Sequence, residues 1–137
     1  MPDPTHVGRR YQAPGQVIES AGAARFAAAV AGSDPVAALG PIPPTYAAVY
    51  CLFPTLGQIF LDPEVGLELA GLVHAEQSFE FAAAPVPGET VDATAEIVGV
   101  AARRGRWFVT VTMEAHRPSG EPVVSGRALL IAAGAPA

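Results

Sequence analysis

The chain has 137 residues, of which 50% are apolar, 15% charged and 7% aromatic, which suits one domain with enough apolar surface for a core. It holds 27 alanines and neither lysine nor asparagine, so all eight cationic side chains are arginine; P-loop and Schiff-base lysine chemistry are thereby excluded. A net charge of −5 carries no footprint for nucleic acid, and a lone Cys51 rules out a disulfide framework or a cysteine-built metal cluster. With neither a signal-peptide pattern nor an apolar run of about 18 residues, the expectation is a soluble, cytoplasmic protein that makes no membrane contact.

Met1–Gly8 carries two prolines and no apolar period, which predicts a loose N-terminal arm over residues 1–10, followed by one domain over 11–133 and a tail over 134–137. Past a turn at Pro14-Gly15, Val17 and Ile18 read as a short extended entry, and Ser20 as the cap of a helix over Ala21–Ala31. Ala23, Phe26, Ala27 and Val30 share one face of that helix, and Arg25 is its only charge. A helix apolar on every side is expected to be wrapped by other structure. Gly32 stops it, and Ser33-Asp34-Pro35 reads as a turn. Pro41, Pro43 and Pro44 stiffen the next stretch, and Thr45 can cap a second helix whose face is Tyr46, Val49, Tyr50 and Phe53. Pro54 interrupts it; Leu56, Ile59 and Phe60 keep the spacing as far as Asp62-Pro63, while residues 64–70 fit a short helix or a loop.

From residue 71 the period becomes two. Val73, Ala75, Gln77, Phe79 and Phe81 alternate with Leu72, His74, Glu76, Ser78 and Glu80. Val91, Ala93, Ala95 and Ile97 form the apolar face of a second strand, Trp107, Val109, Val111 and Met113 that of a third, and residues 122–132 give a fourth. Turns at Pro85–Gly88, Arg103–Gly105 and Pro118–Gly120 would join the four as an antiparallel meander with one wet face. The whole reads as α+β, a curved antiparallel sheet wrapped around one long alanine-rich helix, with leftover apolar area and a sheet edge to be met by a second subunit.

Three segments in this order resemble the hot-dog fold and, within it, the MaoC-like dehydratases and their FAS1-like N-terminal branch, over roughly residues 8–132. They are RFAAAVAGSDPV, ALGPIPPTYAAVY and LVHAEQSFEFAAAPVPGETV. The resemblance implies a dimer acting on acyl thioesters of acyl carrier protein or coenzyme A, with no cofactor and no metal. Such enzymes reversibly remove water from a (3R)-3-hydroxyacyl group, using a base at C2, an acid for the hydroxyl and donors at the thioester oxygen. Catalytic members carry Gly-Asp-x-Asn-Pro-(Ile/Leu/Val)-His in the loop after the central helix, which the alanine-rich segment resembles. Anchored on Pro35, the aspartate position is Gly32 and the histidine position is Ala37. Asp34 stands where the pattern has asparagine and does not restore the pair. The resemblance therefore implies a helper chain that works as a homodimer, or as a heterodimer with a catalytic hot-dog subunit, and offers an acyl groove of Ile42, Tyr46, Tyr50, Phe53, Leu56 and Phe60.

Other readings stay open. His74 has Glu76 two residues on, an arrangement for an oriented general base in a self-sufficient dehydratase; equally it suits a hydrogen-bonded residue at a dimer interface. A thioesterase would want an acid near the first helix, where Glu19 is the one available, and a third reading is an acyl- or polyketide-binding protein without turnover. Glu114 and His116 form a similar pair near a strand end, and His6 lies in the arm; their spacing with His74 gives no metal site. Arg103, Arg104 and Arg106 are either a solvated hairpin tip or a contact for a carrier's phosphate or acidic face. Cys51 reads as an inert buried thiol.

Overall fold

A computed structural model describes residues 1–31 and 42–137. The elements in chain order are β1 (Arg10–Val17), α1 (Ser20–Ala31), a 3-10 turn (Pro44–Tyr46), a π-helical turn (Ala48–Leu52) running into α2 (Phe53–Phe60), then β2 (Val73–Phe81), β3 (Thr90–Arg103), β4 (Arg106–His116) and β5 (Pro122–Ala133). The five strands form one antiparallel sheet in the order β1-β3-β4-β5-β2.

The α+β architecture agrees with the sequence reading, and the identity of the enclosed helix does not. The segment lying on the sheet is 48–60, whose Tyr50, Cys51, Leu52, Leu56 and Ile59 join Ile97, Val109, Val111 and Leu130 in the core. In α1 only Ala23 is fully buried; Phe26 and Ala27 are half-buried and Val30 is 58% exposed. Hydrophobic stabilisation scales with the apolar area removed from water, at about 25 cal/mol per Å2. Leu, Ile and Tyr side chains bring several times the area of alanine, so the helix carrying them takes the sheet and the alanine-rich one lies outside.

Pro54 does not end the second helix. It has no N–H and its ring needs space in the turn before it, and the wider π turn supplies that space. The Thr55 hydroxyl, fully buried, back-bonds to the carbonyls of Cys51 (2.9 Å) and Leu52 (3.0 Å), so it is itself satisfied. Residues 64–70 contain no helix, although Val65 and Leu67 are buried.

Two further expectations are corrected. The strands number five, because β1 runs straight through Pro14-Gly15 on a bulge between Ala13 and Gln16; proline is tolerated there because β1 is an edge. Nor is the sheet a simple meander: β2 crosses to the far side and pairs with β5 rather than β3. The N-terminal arm is pinned. Asp62, 8% exposed at its side chain, accepts from Arg9 Nε and from the Tyr11 hydroxyl, both at 2.7 Å, and Arg9 also meets Glu64 at 2.7 Å. None of the described helices is long and apolar enough to cross a membrane.

The hydrogen bond from Tyr11, with Arg9 and the Glu64 N–H beside it, lowers the Asp62 carboxyl to about 2. A carboxyl whose folded value lies below its unfolded value stabilises fully above the unfolded value and loses that contribution as pH falls through the folded one. Asp62→Asn should therefore lower the urea midpoint at pH 7 and flatten its fall between pH 4 and pH 2. A second variant tests the sheet. A Cβ on Gly126 would stand 2.6 Å from Ser78 O and 2.9 Å from both Met113 Sδ and Phe79 Cδ1, so Gly126→Ala is expected to cost about 1–3 kcal/mol in denaturant unfolding.

Candidate functional site

An apolar cleft of about 440 Å3 opens between Ile42 and Pro44 on one side and the Phe81–Pro85 segment on the other. Its second wall begins where β2 ends and is held by an ion pair. Arg117 Nε lies 2.7 Å from Glu89 Oε1, Arg117 Nη2 donates to Ala84 O at 3.0 Å, and Glu89 Oε2 accepts from the Val86 N–H. Arg117 also meets Glu121 at 3.0 Å. The Arg117 guanidinium is the main reason the Glu89 carboxyl is held below the usual range. Sequence reading missed this pair because the two residues are 28 apart and lie at the ends of different strands; the one local signal was an acid directly after Pro87-Gly88.

Past Pro44, aromatic residues of the following turns pack on one another and on α1. The Phe26 and Tyr46 rings are edge-on at 5.3 Å, and Tyr46 and Tyr50 are tilted at 6.2 Å. Tyr50 is 2% exposed, and its hydroxyl has no hydrogen-bond partner among the described residues. Burial pushes its pKa well up, with the Cys51 and Glu89 charges adding to the shift. A buried hydroxyl without a partner is rare because it forfeits its hydration.

The six residues read as an acyl groove do not form one lining. Ile42 borders the cleft, Tyr46, Tyr50 and Leu56 are buried, Phe60 is half-buried against the core, and Phe53 is 60% exposed. Asp34, Gly32 and Ala37 lie outside the described residues. Cys51 is fully buried, and burial lifts its thiol to about 12, in keeping with an inert residue.

His74 and Glu76 are not brought together. A bulge between them shifts the register against β5, so that His74 lies opposite Leu130 while Glu76 lies opposite Leu129. Directly opposed residues share a face. Leu130 is fully buried on the helix-bearing face, whereas Glu76 borders a groove on the other face with Thr110, Arg127 and Leu129. The partner His74 does find is Gln77, its Nε2 lying 3.0 Å from Gln77 Oε1. His116 Nε2 is 3.3 Å from Glu114 Oε2, in a separate groove of about 510 Å3 with Arg10, Glu96 and Thr112. His6 sits in the N-terminal turn. All three histidines of the chain are thus placed, and none borders the cleft. Among the described residues no group of three or more His, Cys, Asp or Glu is arranged to hold a metal ion.

The tyrosine stack also explains how α1 docks. A Cβ on Gly22 would come within 2.6 Å of the Tyr46 hydroxyl. Gly22→Ala is therefore expected to destabilise despite alanine's better helix propensity, and Tyr46→Phe, which deletes the colliding oxygen, should restore the loss. Urea unfolding of the two single variants and the double variant reads that coupling.

Comparison with known proteins agrees with the fold. Residues 5–125 match the family model described as the FAS1-like dehydratase domain region. UPF0336 proteins of Streptomyces coelicolor (31% identical over 91 residues, 66% of this chain and 59% of the relative) and Leifsonia xyli (32% over 92 residues, 67% and 61%) are similar. The match thus spans about three fifths of the length of these relatives. The C-terminally truncated HadBC (3R-hydroxyacyl-ACP dehydratase) complex of Mycobacterium tuberculosis superposes with a TM-score of 0.72 at 22% identity, over 92% of this chain and 96% of that one. The ChsH1–ChsH2 complex of the same organism superposes with a TM-score of 0.64 at 17% identity, over 90% and 89%. The sheet, the helix on it and these likenesses are those of the hot-dog fold, and the chain belongs to the FAS1-like dehydratase region family.

Proposed function

We propose that this chain is a partner-dependent hot-dog subunit of a (3R)-hydroxyacyl-thioester dehydratase, acting on acyl groups carried by acyl carrier protein or coenzyme A. The observation that carries the reading is the placement of the three imidazoles away from the cleft, together with Gly32 and Ala37 at the two positions where the dehydratase pattern has its aspartate and histidine. With neither base nor acid there, removing the C2 proton and protonating the departing hydroxyl fall to a second hot-dog chain. This chain contributes groove and surface. Ile42, Pro44 and Phe81–Pro85 take the apolar chain, and the turn from Pro44 to Tyr46 joins that wall to the buried Tyr46–Tyr50 pair.

The surface for that second chain is the outer edge of β2. Of the two sheet edges, β1 is blunted by a bulge, a proline and the Gln58 side chain, which donates to Gln12 O at 2.9 Å. β2 carries a bulge too, between His74 and Glu76, but no proline. No residue of it is buried, and Val73 and Phe81 are 50% and 41% exposed. An open edge with apolar side chains is a template for pairing with another strand. Two of the similar folds come from two-chain complexes, HadBC and ChsH1–ChsH2, which supports a dimer of hot-dog subunits.

The purified chain alone should hydrate a trans-2-enoyl thioester at background rate and become active on mixing with a dyad-bearing hot-dog subunit; efficient hydration by the lone chain would overturn the reading. In the complex, His74→Ala should leave kcat within about twofold of the wild type, because His74 only orients against Gln77. Val73→Lys combined with Phe81→Lys should abolish association in analytical ultracentrifugation, while the unfolding free energy of the isolated chain stays within about 0.5 kcal/mol per exposed site.

A further inference from the structure

The β3–β4 hairpin breaks two local rules, and both breaches keep positive charge at its tip. Arg103 and Arg106 lie directly opposite each other, a like-charge pair that disfavours the hairpin. Between them Arg104 has φ 49° and Gly105 φ 77°, a two-residue turn that takes Asn-Gly or Asp-Gly at lower cost than a long side chain held left-handed. Arg104 is the only residue other than glycine with positive φ among the described residues. All three arginines are exposed and, like Arg25 and Arg127, make no ion pair with a described residue, whereas Arg9, Arg10 and Arg117 all do. Arg103 is steadied over the Phe108 ring at 5.9 Å. The rest of the chain sets five arginines against thirteen acids, so a tip of +3 projects from a body of −8. Local strain that persists at one place points to a role there.

The tip is remote from its own cleft. Arg103, Arg106 and Ala133 mark one end of the sheet, and Phe81, Val124, Pro122, His116 and Asp92 mark the other, where the cleft opens. At a rise of about 3.3 Å per residue, β3 alone separates the two by roughly 40 Å. A subunit added antiparallel along β2 runs its strands in reverse, so its cleft end lies on the side of this chain's arginine tip. The tip is convex, whereas small-molecule sites are concave, and an exposed cationic protrusion suits a flat acidic protein face. We propose that Arg103, Arg104 and Arg106 dock the acidic surface of an acyl carrier protein delivering its thioester to the paired subunit, in trans. This rests on the β2-paired dimer proposed above.

The test is a triple variant, Arg103→Thr, Arg104→Asn and Arg106→Thr, which installs the preferred turn and should melt at or above the wild-type temperature. Apo acyl carrier protein, holo acyl carrier protein and coenzyme A are titrated onto the wild-type and variant chains, with Arg25→Ala as the control. Apo and holo carrier should bind the wild type and the control alike, more weakly as salt rises, and bind the variant at least about tenfold more weakly. Equal carrier binding by the variant overturns the proposal, as does wild-type binding of coenzyme A and holo carrier without apo carrier, which would show that phosphate itself is recognised. In the complex with a dyad-bearing subunit, the variant should raise KM for a carrier-borne enoyl thioester about tenfold and leave kcat/KM for the coenzyme A thioester unchanged; an unmoved carrier KM overturns the placement in trans. Carrier binding is read on the lone chain, so its loss is separable from failure of the dimer to form.

Discussion

Closure of one face of the sheet by the 48–60 segment is the constraint on which the other features depend. The three central strands, β3, β4 and β5, present Val91, Ala93, Ala95, Ile97, Trp107, Val109, Val111, Met113, Ala128 and Leu130 on a single face, and that face needs a helix with side chains large enough to exclude water. The segment has to reach this position despite carrying Pro54. The π turn before the proline accommodates its ring, and the buried Thr55 hydroxyl is satisfied by back-bonding to Cys51 O and Leu52 O. Once the helix is seated, its far end brings Asp62 to Arg9 and Tyr11, which ties the N-terminal arm and β1 to the body. At its near end Tyr50 packs against Tyr46.

With the inner face closed by one helix, the unsatisfied parts of the fold lie at the periphery and are unevenly distributed. One edge of the sheet is blunted and the other is open. α1 is attached through Ala23 and through Phe26 against Tyr46, and it keeps much of its alanine surface exposed. Monomeric proteins rarely leave both an open edge strand and large apolar side chains uncovered. This asymmetry, more than any single residue, is what supports the proposed pairing. The ion pair of Glu89 and Arg117 belongs to the same logic, since it holds the 84–89 segment in place at the end of the open edge, where the cleft begins.

Legibility from sequence followed the size of the signal. The alternations in β3 and β4 were visible because alternate residues are fully buried on one face, and the burial of Val91 to Ile97 and of Trp107 to Met113 follows them residue by residue. In β2 the same alternation misled. A single extra residue at the bulge moves His74 and Glu76 to opposite faces, and no local composition marks it. The alanine-rich helix misled for a different reason. Periodicity counts apolar positions without weighing their area, so a run of alanines looked as buriable as a run of Leu, Ile and Tyr. The Glu89–Arg117 pair and the Asp62 staple join residues far apart in the chain, which no spacing argument reaches.

The sequence by itself determined the composition of the core, the number of long strands after residue 71, the family resemblance and the lack of an Asp/His pair around Pro35, because each is a matter of residue type in local order. Only the tertiary structure decided which helix closes the sheet, which edge stays open, where the three histidines fall and at which end the arginines stand. Those outcomes depend on strand order and register, in which residues separated by tens of positions compete for the same face, and that competition is settled by total buried area rather than by neighbours in the chain.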